Sequence, residues 1–268
     1  MPSDREGPPP DIDISVAHVA RVYDYWLGGK TNFASDRIAA RAALRAAPHV
    51  VEGVRGNRAF LARAVRYLVG EAGVRQFLDI GTGIPAADNT HDVAQALAPE
   101  SRVVYVDNDP IVLAHARALL TSGTKDATAY LDQDLRDVDE IVRDAGTMLD
   151  FTEPVAVMLI GILQCIPDED DPAGIVKQLM DAVPAGSYLA ISHPASDIDV
   201  VGIRNLASRL HDLMPMELRF RSRAEVAALF DGLELVEPGL VRIPKWRPDS
   251  EADLANPATV WGGVARKN

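Results

Sequence analysis

The chain has 268 residues, 47% of them apolar, and a formal net charge of −12, which suits one α/β domain with an added segment. The acidic balance disfavours wrapping DNA or RNA and docking on an anionic membrane, because both need clustered Lys and Arg. Cys165 is the only cysteine, so neither an intramolecular disulfide nor a metal site is expected. The first ten residues are polar and Pro-rich with no apolar signal core, and no apolar run approaches a membrane span; the expected location is cytoplasmic.

Residues 1–12 have the composition of a disordered terminus. Val16, Val19, Ala20, Tyr23 and Leu27 then recur at helical spacing, and Gly28-Gly29 ends that helix. Three aromatics lie in it beside the glycine pair. One reading is a lid that brings Tyr25 and Gly29 to a cofactor; the other is an amphipathic helix docked on the core. Ser35 is placed to cap a helix through about Ala47, stopped before Pro48. Phe60, Leu61, Ala64, Val65 and Leu68 mark another, ended by Gly70. The expected organisation is a disordered segment over 1–12, a helical extension or lid over 13–74, and a sheet domain over 75–268.

The sheet domain opens on Gln76-Phe-Leu-Asp-Ile-Gly-Thr-Gly-Ile-Pro85. Phe77, Leu78 and Ile80 suit a buried parallel strand. Gly81 and Gly83 allow a tight turn with backbone close to a ligand. A second strand, Arg102 to Val106, ends in Asp107. An acid about 20 residues past such a turn can hold both hydroxyls of a ribose. A dinucleotide and S-adenosylmethionine (SAM) both fit this plan, and Gly81, Gly83 and Ala86 satisfy the dinucleotide spacing. Asp79 separates them. A pyrophosphate would meet its carboxylate at short range, whereas the ammonium and sulfonium of SAM are attracted to it. An ordinary strand-to-helix turn is the third account.

Residues 89–97 form the next helix, with His91 in its first turn as a capping or helix-face residue rather than a ligand. Asp109 caps a helix with Pro110 at its first position, carrying Leu113, Ala116, Leu119 and Leu120 inward. After a third strand, Ala127 to Leu131, Asp134 sits where it can accept from an adenine amine or cap a turn. Val155 to Ile160 is the most apolar strand and is expected at the sheet's centre. Gly161 follows it, where backbone can approach a ligand. Cys165 reads as a small buried residue rather than a nucleophile. Asp171-Pro172 starts a helix. Tyr188 to Ser192 is a strand with His193 at its carboxyl end, and Ser222 and Glu225 form a capping box. Leu233–Val236 and Thr259–Val264 read as a final antiparallel hairpin whose long excursion contains Trp246.

Together these motifs resemble class I SAM-dependent methyltransferases. Asp79-Ile-Gly-Thr-Gly83 is similar to their first motif, Asp107 to the acid of the second, Asp134 to that of the third, and residues 183–191 to the segment entering the fifth strand. Residues 23–33, 57–61, 76–79 and 104–110 further resemble a bacterial SAM methyltransferase family in which many members lack an assigned substrate. The resemblance covers nearly the whole chain. It implies a Rossmann-like three-layer sandwich with a seven-stranded sheet, only the last strand antiparallel, plus the helical N-terminal extension. The cofactor site then comprises Asp79, Gly81, Thr82 and Gly83, Asp107 and Asn108, Asp134 and Leu135, and Gly161, with Tyr25 and Gly29 from the lid. One departure stands out: Pro85 replaces a third glycine, which removes a backbone N–H from the cradle.

The reading is methyl transfer from SAM to a small-molecule acceptor, with His193 as the candidate general base or, alternatively, a residue of a structural turn. The alternatives are an NAD-dependent oxidoreductase and a non-catalytic SAM-binding module. Neither the acceptor nor the oligomeric state is legible.

Overall fold

The computed structural model describes residues 13–120 and 127–268. The expected disorder of residues 1–12 lies outside them, as do the side chains expected inward at Ala116, Leu119 and Leu120.

The sheet contains β1 (Gln76–Ile80), β2 (Arg102–Asp107), β3 (Thr128–Asp132), β4 (Ala156–Ile160), β5 (Tyr188–Pro194), β6 (Glu234–Leu235), β7 (Val241–Arg242) and β8 (Val260–Arg266). Its order is β3-β2-β1-β4-β5-β8-β6, with β7 also on β8. The first five strands are parallel, and β8 runs antiparallel between β5 and the edge. Here the structure adds to the expected seven strands. Glu234 and Leu235 pair with Arg266 and Ala265, while Val241 and Arg242 pair with Gly262 and Trp261. β6 and β7 are therefore two pieces of one edge strand, interrupted by the segment between them. The excursion beyond it is not loose. Trp246 is fully buried, with its ring edge-on to Phe60 at 5.4 Å, and Arg63 donates to the carbonyls of Trp246 and Ile243.

Strand parity assigns the two faces. Leu78, Ile80, Val157, Leu159, Leu189 and Ile191 pack against α6 (Val138–Ala145), α7 (Pro172–Asp181) and α9 (Arg223–Ala228). Phe77, Val103, Tyr105, Met158 and Ala190 pack against α3 (Val50–Gly70) and α4 (Thr90–Leu97). This is the three-layer sandwich the sequence implied. Asp109 caps α5 (Pro110–Leu120) by accepting from Ile111 N at 2.8 Å.

A third apolar cluster stands apart from the sheet. It joins α1 (Val19–Leu27), α2 (Ala34–Ala46) and α8 (Val200–His211) through Val22, Ala39, Ala40, Ala43, Ile203, Leu206 and Leu210. The sequence reading placed no helix at α8. The packing draws α8 from the C-terminal half to the N-terminal helices, and leaves α3 with the sheet. A buried ion pair links α1 to α2, with Arg21 Nε 3.1 Å from Asp36 Oδ1. Asp36, not Ser35, starts α2: its Oδ2 accepts from Phe33 N at 2.8 Å. Ser35 lies inside the first turn and donates to Ile14 O instead.

Candidate active site

The carboxyl ends of β1, β2, β4 and β5 open on one edge of the sheet, where β1 is flanked by β2 on one side and β4 on the other. A ligand crevice belongs at such a switch point. There the structure holds a cavity of about 700 Å³, walled by the loops after β1, β2, β3 and β4, by the middle of α3, and by α1.

The Gly turn is shaped by its packing. Gly81 has φ 75°, and a Cβ there would sit 2.4 Å from Ile162, so only glycine fits. Gly83 has φ 66° with nothing within 4 Å of a Cβ position: its bare backbone faces open space. Asp107 braces the turn, with Oδ2 accepting from Gly83 N at 2.8 Å and Oδ1 from Asp109 N at 2.9 Å. Burial pushes its carboxyl above the usual range, and the two N–H donors oppose that.

Asp79 shares parity with Phe77 and points toward α4, where Thr90 Oγ1 donates to it at 2.6 Å. It is 4% exposed. Burial pushes its pKa up to about 6, against the pull of Thr90 and of the nearby Arg58. Arg58, on α3, donates through Nη2 to Ala87 O and Asp88 O. Its buried Nε has no partner among the described residues.

Of the expected site residues, Asp79, Gly81, Thr82, Gly83, Asp107, Asn108, Asp134, Leu135, Gly161 and Gly29 all line this cavity. Asp134 is already engaged, accepting from Asn108 Nδ2 at 2.8 Å and from Arg136. Tyr25 does not line it. It accepts from Arg41 Nε and packs with the cap cluster; Tyr23, one helical turn from Val19 and Leu27, takes its place on the wall.

His193 does not line the cavity either. It follows Ser192 on β5 and so points to the opposite face. It is fully buried. Its Nδ1 lies 2.9 Å from Pro194 O and its Nε2 3.2 Å from Arg221 Nη1. An arginine can only donate, so Nε2 accepts and the proton is on Nδ1. Burial holds the pKa down to about 4. A ring with its acceptor nitrogen occupied cannot take a substrate proton. His91 is held by Tyr105, whose hydroxyl lies 2.8 Å from both its backbone N and its Nδ1. Cys165 lines the cavity, but burial pushes its thiol up to about 12, so it is no nucleophile at neutral pH.

Sequence reasoning named Gly161 in the turn after β4 but gave no site role to Asn57 on α3 or to Gln164, which line the cavity beside it. Asn57 Nδ2 donates to Tyr23 Oη at 3.1 Å and Ser192 Oγ donates to Asn57 Oδ1 at 2.5 Å. A Cβ on Gly161 would sit 3.1 Å from Asn57 Nδ2, so this glycine makes room for the asparagine. Gln164 Nε2 donates to Gly161 O at 2.5 Å.

A doubly flanked parallel sheet closed by the antiparallel β8, a glycine turn and an acid ending the second strand define a nucleotide-cofactor fold, and the buried Asp79 beside the turn suits SAM rather than a pyrophosphate. The model of the S-adenosyl methyltransferase family matches residues 5–268, and the chain belongs to that family. It is similar to a DUF574 family protein from Streptomyces avermitilis, whose crystal structure superposes with a TM-score of 0.91 at 44% identity, covering 96% of this chain and 99% of that one. A candidate methyltransferase from Thermobifida fusca gives a TM-score of 0.91 at 40% identity, covering 98% of this chain and all of that one. No curated protein matches the chain. The family assignment sets aside the oxidoreductase and the non-catalytic module. The cofactor is SAM. Among the described residues no helix is long and apolar enough to cross a membrane.

Proposed function

We propose that this chain methylates a small-molecule acceptor, and that the cavity at the β1–β4 switch point seats the cofactor with its amino-acid end between Asp79 and Arg58 and its ribose at Asp107. The observation that carries this reading is the pairing of opposite charges on one wall. Asp79 offers a buried carboxylate to an ammonium. Arg58 keeps an unpartnered Nε that suits a carboxylate. An α-amino acid presents that pair. The open backbone at Gly83 and the remaining lone pairs of Asp107 suit a ribose beside them.

SAM, when bound, supplies a methyl group already activated by its sulfonium. The chain's part is then to position and to exclude water. Asp79 orients the amino-acid end and places negative charge near the cation. Asp107 fixes the ribose and, through Gly83 N, the turn itself. Asp134, held by Asn108 and Arg136, keeps a carboxylate at the far end of the cavity. Tyr23 and Leu27 close the side from α1. The net charge of −12 supports a small acceptor over a nucleic acid.

Thermal unfolding with SAM, S-adenosylhomocysteine, 5′-methylthioadenosine and NAD tests this. Ligand at 100 times its Kd adds about 2.7 kcal/mol. SAM and S-adenosylhomocysteine should stabilise strongly and NAD should not. Methylthioadenosine lacks the amino-acid end and should bind more weakly, with a loss that Arg58→Gln no longer enlarges. Equal binding of NAD, or an Arg58→Gln variant with unchanged affinity for SAM, would overturn the assignment.

A further inference from the structure

A second cavity of about 150 Å³ lies behind the first, between α1, α8 and the carboxyl ends of β4 and β5. Val19, Tyr23, Asn57, Gly161 and Gln164 line both. These shared residues are the partition at which the two cavities adjoin. The far side is mostly apolar, built by Val22, Trp26, Ile203, Leu206, Met214 and Phe220, with the exposed His49 and Asp199 also on the lining. The apolar lining comes from the cap cluster, not from the sheet.

The partition has two polar features. The first is the chain from Ser192 through Asn57 to Tyr23, whose hydroxyl in turn donates to Val54 O at 3.3 Å. This chain is internally satisfied. The second is Gln164, which is 9% exposed. Its Nε2 is committed to Gly161 O, and only the amide nitrogen can donate to a carbonyl, so its orientation is fixed. That leaves Oε1 buried without a partner among the described residues. A buried acceptor left unpaired is costly, and a ligand N–H or O–H would relieve it.

We infer that the second cavity is the seat of the methyl acceptor, and that it takes a single aromatic ring bearing one O–H or N–H directed at Gln164 Oε1. The inference rests on the cofactor placement proposed above. The volume argues for one ring: an apolar protein cavity of about this size accepts benzene. The apolar lining from α1 and α8 rejects a charged or sugar-like body, whose desolvation would go uncompensated. The shared partition places the occupant next to the cofactor cavity. The orphaned Oε1 supplies the one directional contact.

The test uses the full chain with and without S-adenosylhomocysteine, and two probes, 4-fluorophenol and fluorobenzene, followed by fluorine NMR. Both rings should bind the saturated protein. Leu206→Trp, which fills the cavity from α8, should abolish ring binding while leaving S-adenosylhomocysteine affinity within about twofold; Ile203→Phe serves if the tryptophan prevents folding. Gln164→Leu should weaken 4-fluorophenol about tenfold, the loss of one hydrogen bond, and leave fluorobenzene unchanged. Intermolecular NOEs from the ring to Leu206 and Met214 in the unaltered chain locate the probe without any substitution. Absence of ring binding to the saturated protein, NOEs elsewhere, or equal effects of Gln164→Leu on both probes would overturn the inference. Failure of S-adenosylhomocysteine itself to bind would instead overturn the cofactor placement, a result read independently of the rings.

Discussion

Thr90 Oγ1 donates a 2.6 Å hydrogen bond to Asp79 Oδ2, joining the first turn of α4 to the end of β1 beside the cofactor cavity. The bond lowers the cost of an ionised carboxylate there but does not cancel it. Burial still leaves the pKa at about 6, against 3.8 for the ordinary group. A group whose folded pKa is raised favours folding below its unfolded pKa and loses that contribution as pH rises through the folded value. At neutral pH Asp79 is therefore a burden on the fold. Asp79→Asn keeps an acceptor for Thr90 and removes the buried charge. It should raise stability at pH 7 by on the order of 2 kcal/mol and weaken SAM at least tenfold. Denaturation and calorimetric titration on the same sample measure both; an unstabilised variant with unchanged affinity would sink the account.

The same group sets a pH dependence for binding. As pH falls through about 6, Asp79 protonates and its attraction for a cationic ligand disappears. SAM affinity should decline over that window in the unaltered chain and stay flat in Asp79→Asn. An identical profile in both would place the titrating group elsewhere.

Asp107 braces the turn and, in the proposed placement, also holds the ribose. Its oxygens each accept one backbone N–H, from Gly83 and from Asp109, and each keeps a further lone pair. Asp107→Ala should cost about 1–2 kcal/mol of stability through the orphaned amides. It should also weaken SAM by one to several powers of ten, since hydrogen bonds to a charged group are each worth about 1.5–3 kcal/mol and 1.4 kcal/mol is tenfold. A variant that is less stable yet binds SAM normally would mean that the ribose lies elsewhere.

These positions were legible before the structure because their signals are local. An apolar run, two glycines and an acid at the right spacing mark β1, its turn and β2 without any knowledge of the fold. The misplaced residues failed for a different reason. β5 is buried on both faces, so Tyr188-Leu-Ala-Ile-Ser-His carries no alternation, and nothing in it tells that Ser192 faces α3 while His193 faces Arg221. On α1 the signal existed: Val19, Tyr23 and Leu27 repeat every four residues and all line the cavity, which leaves Tyr25 on another side. Gln164 and the apolar face of α8 belong to no motif, and Arg58 lies in the 57–61 stretch, which carries a family resemblance but no role for this side chain. They reach the site only through packing between segments far apart in the chain.

His193 offers a check on that correction. Its folded pKa of about 4 lies below the ordinary 6.5, so the neutral ring favours folding above pH 6.5 and that contribution is lost as pH falls toward 4. Stability should drop over this window with a slope of up to about 1.4 kcal/mol per pH unit from this one proton. His193→Gln should flatten it and leave the pH profile of methyl transfer unmoved. A turnover profile that loses its acidic limb in the variant would restore His193 as the base.

The cap carries the last prediction. α1 presents Tyr23 and Leu27, and the turn after it Gly29, to the first cavity, while Val22 and Trp26 line the second one. It is tied to α2 by the buried Arg21–Asp36 pair and to α3 by Tyr23 and Asn57. Gly28, at φ 83°, ends the helix, and a Cβ on Gly29 would collide with the Asp24 carboxylate. This tight reversal lines the cavity. Opening α1 exposes the cavity, and a ligand that touches α1 must suppress that opening. Backbone hydrogen exchange over residues 19–30 should therefore slow when S-adenosylhomocysteine binds, by at least tenfold at 100 times its Kd. α2 and α8 share one apolar cluster with α1 and should gain protection with it. α6 and α7, on the other face of the sheet, should not change. Unchanged exchange in α1 at saturating ligand would show that this helix is a fixed wall, and that the ligand enters without moving it.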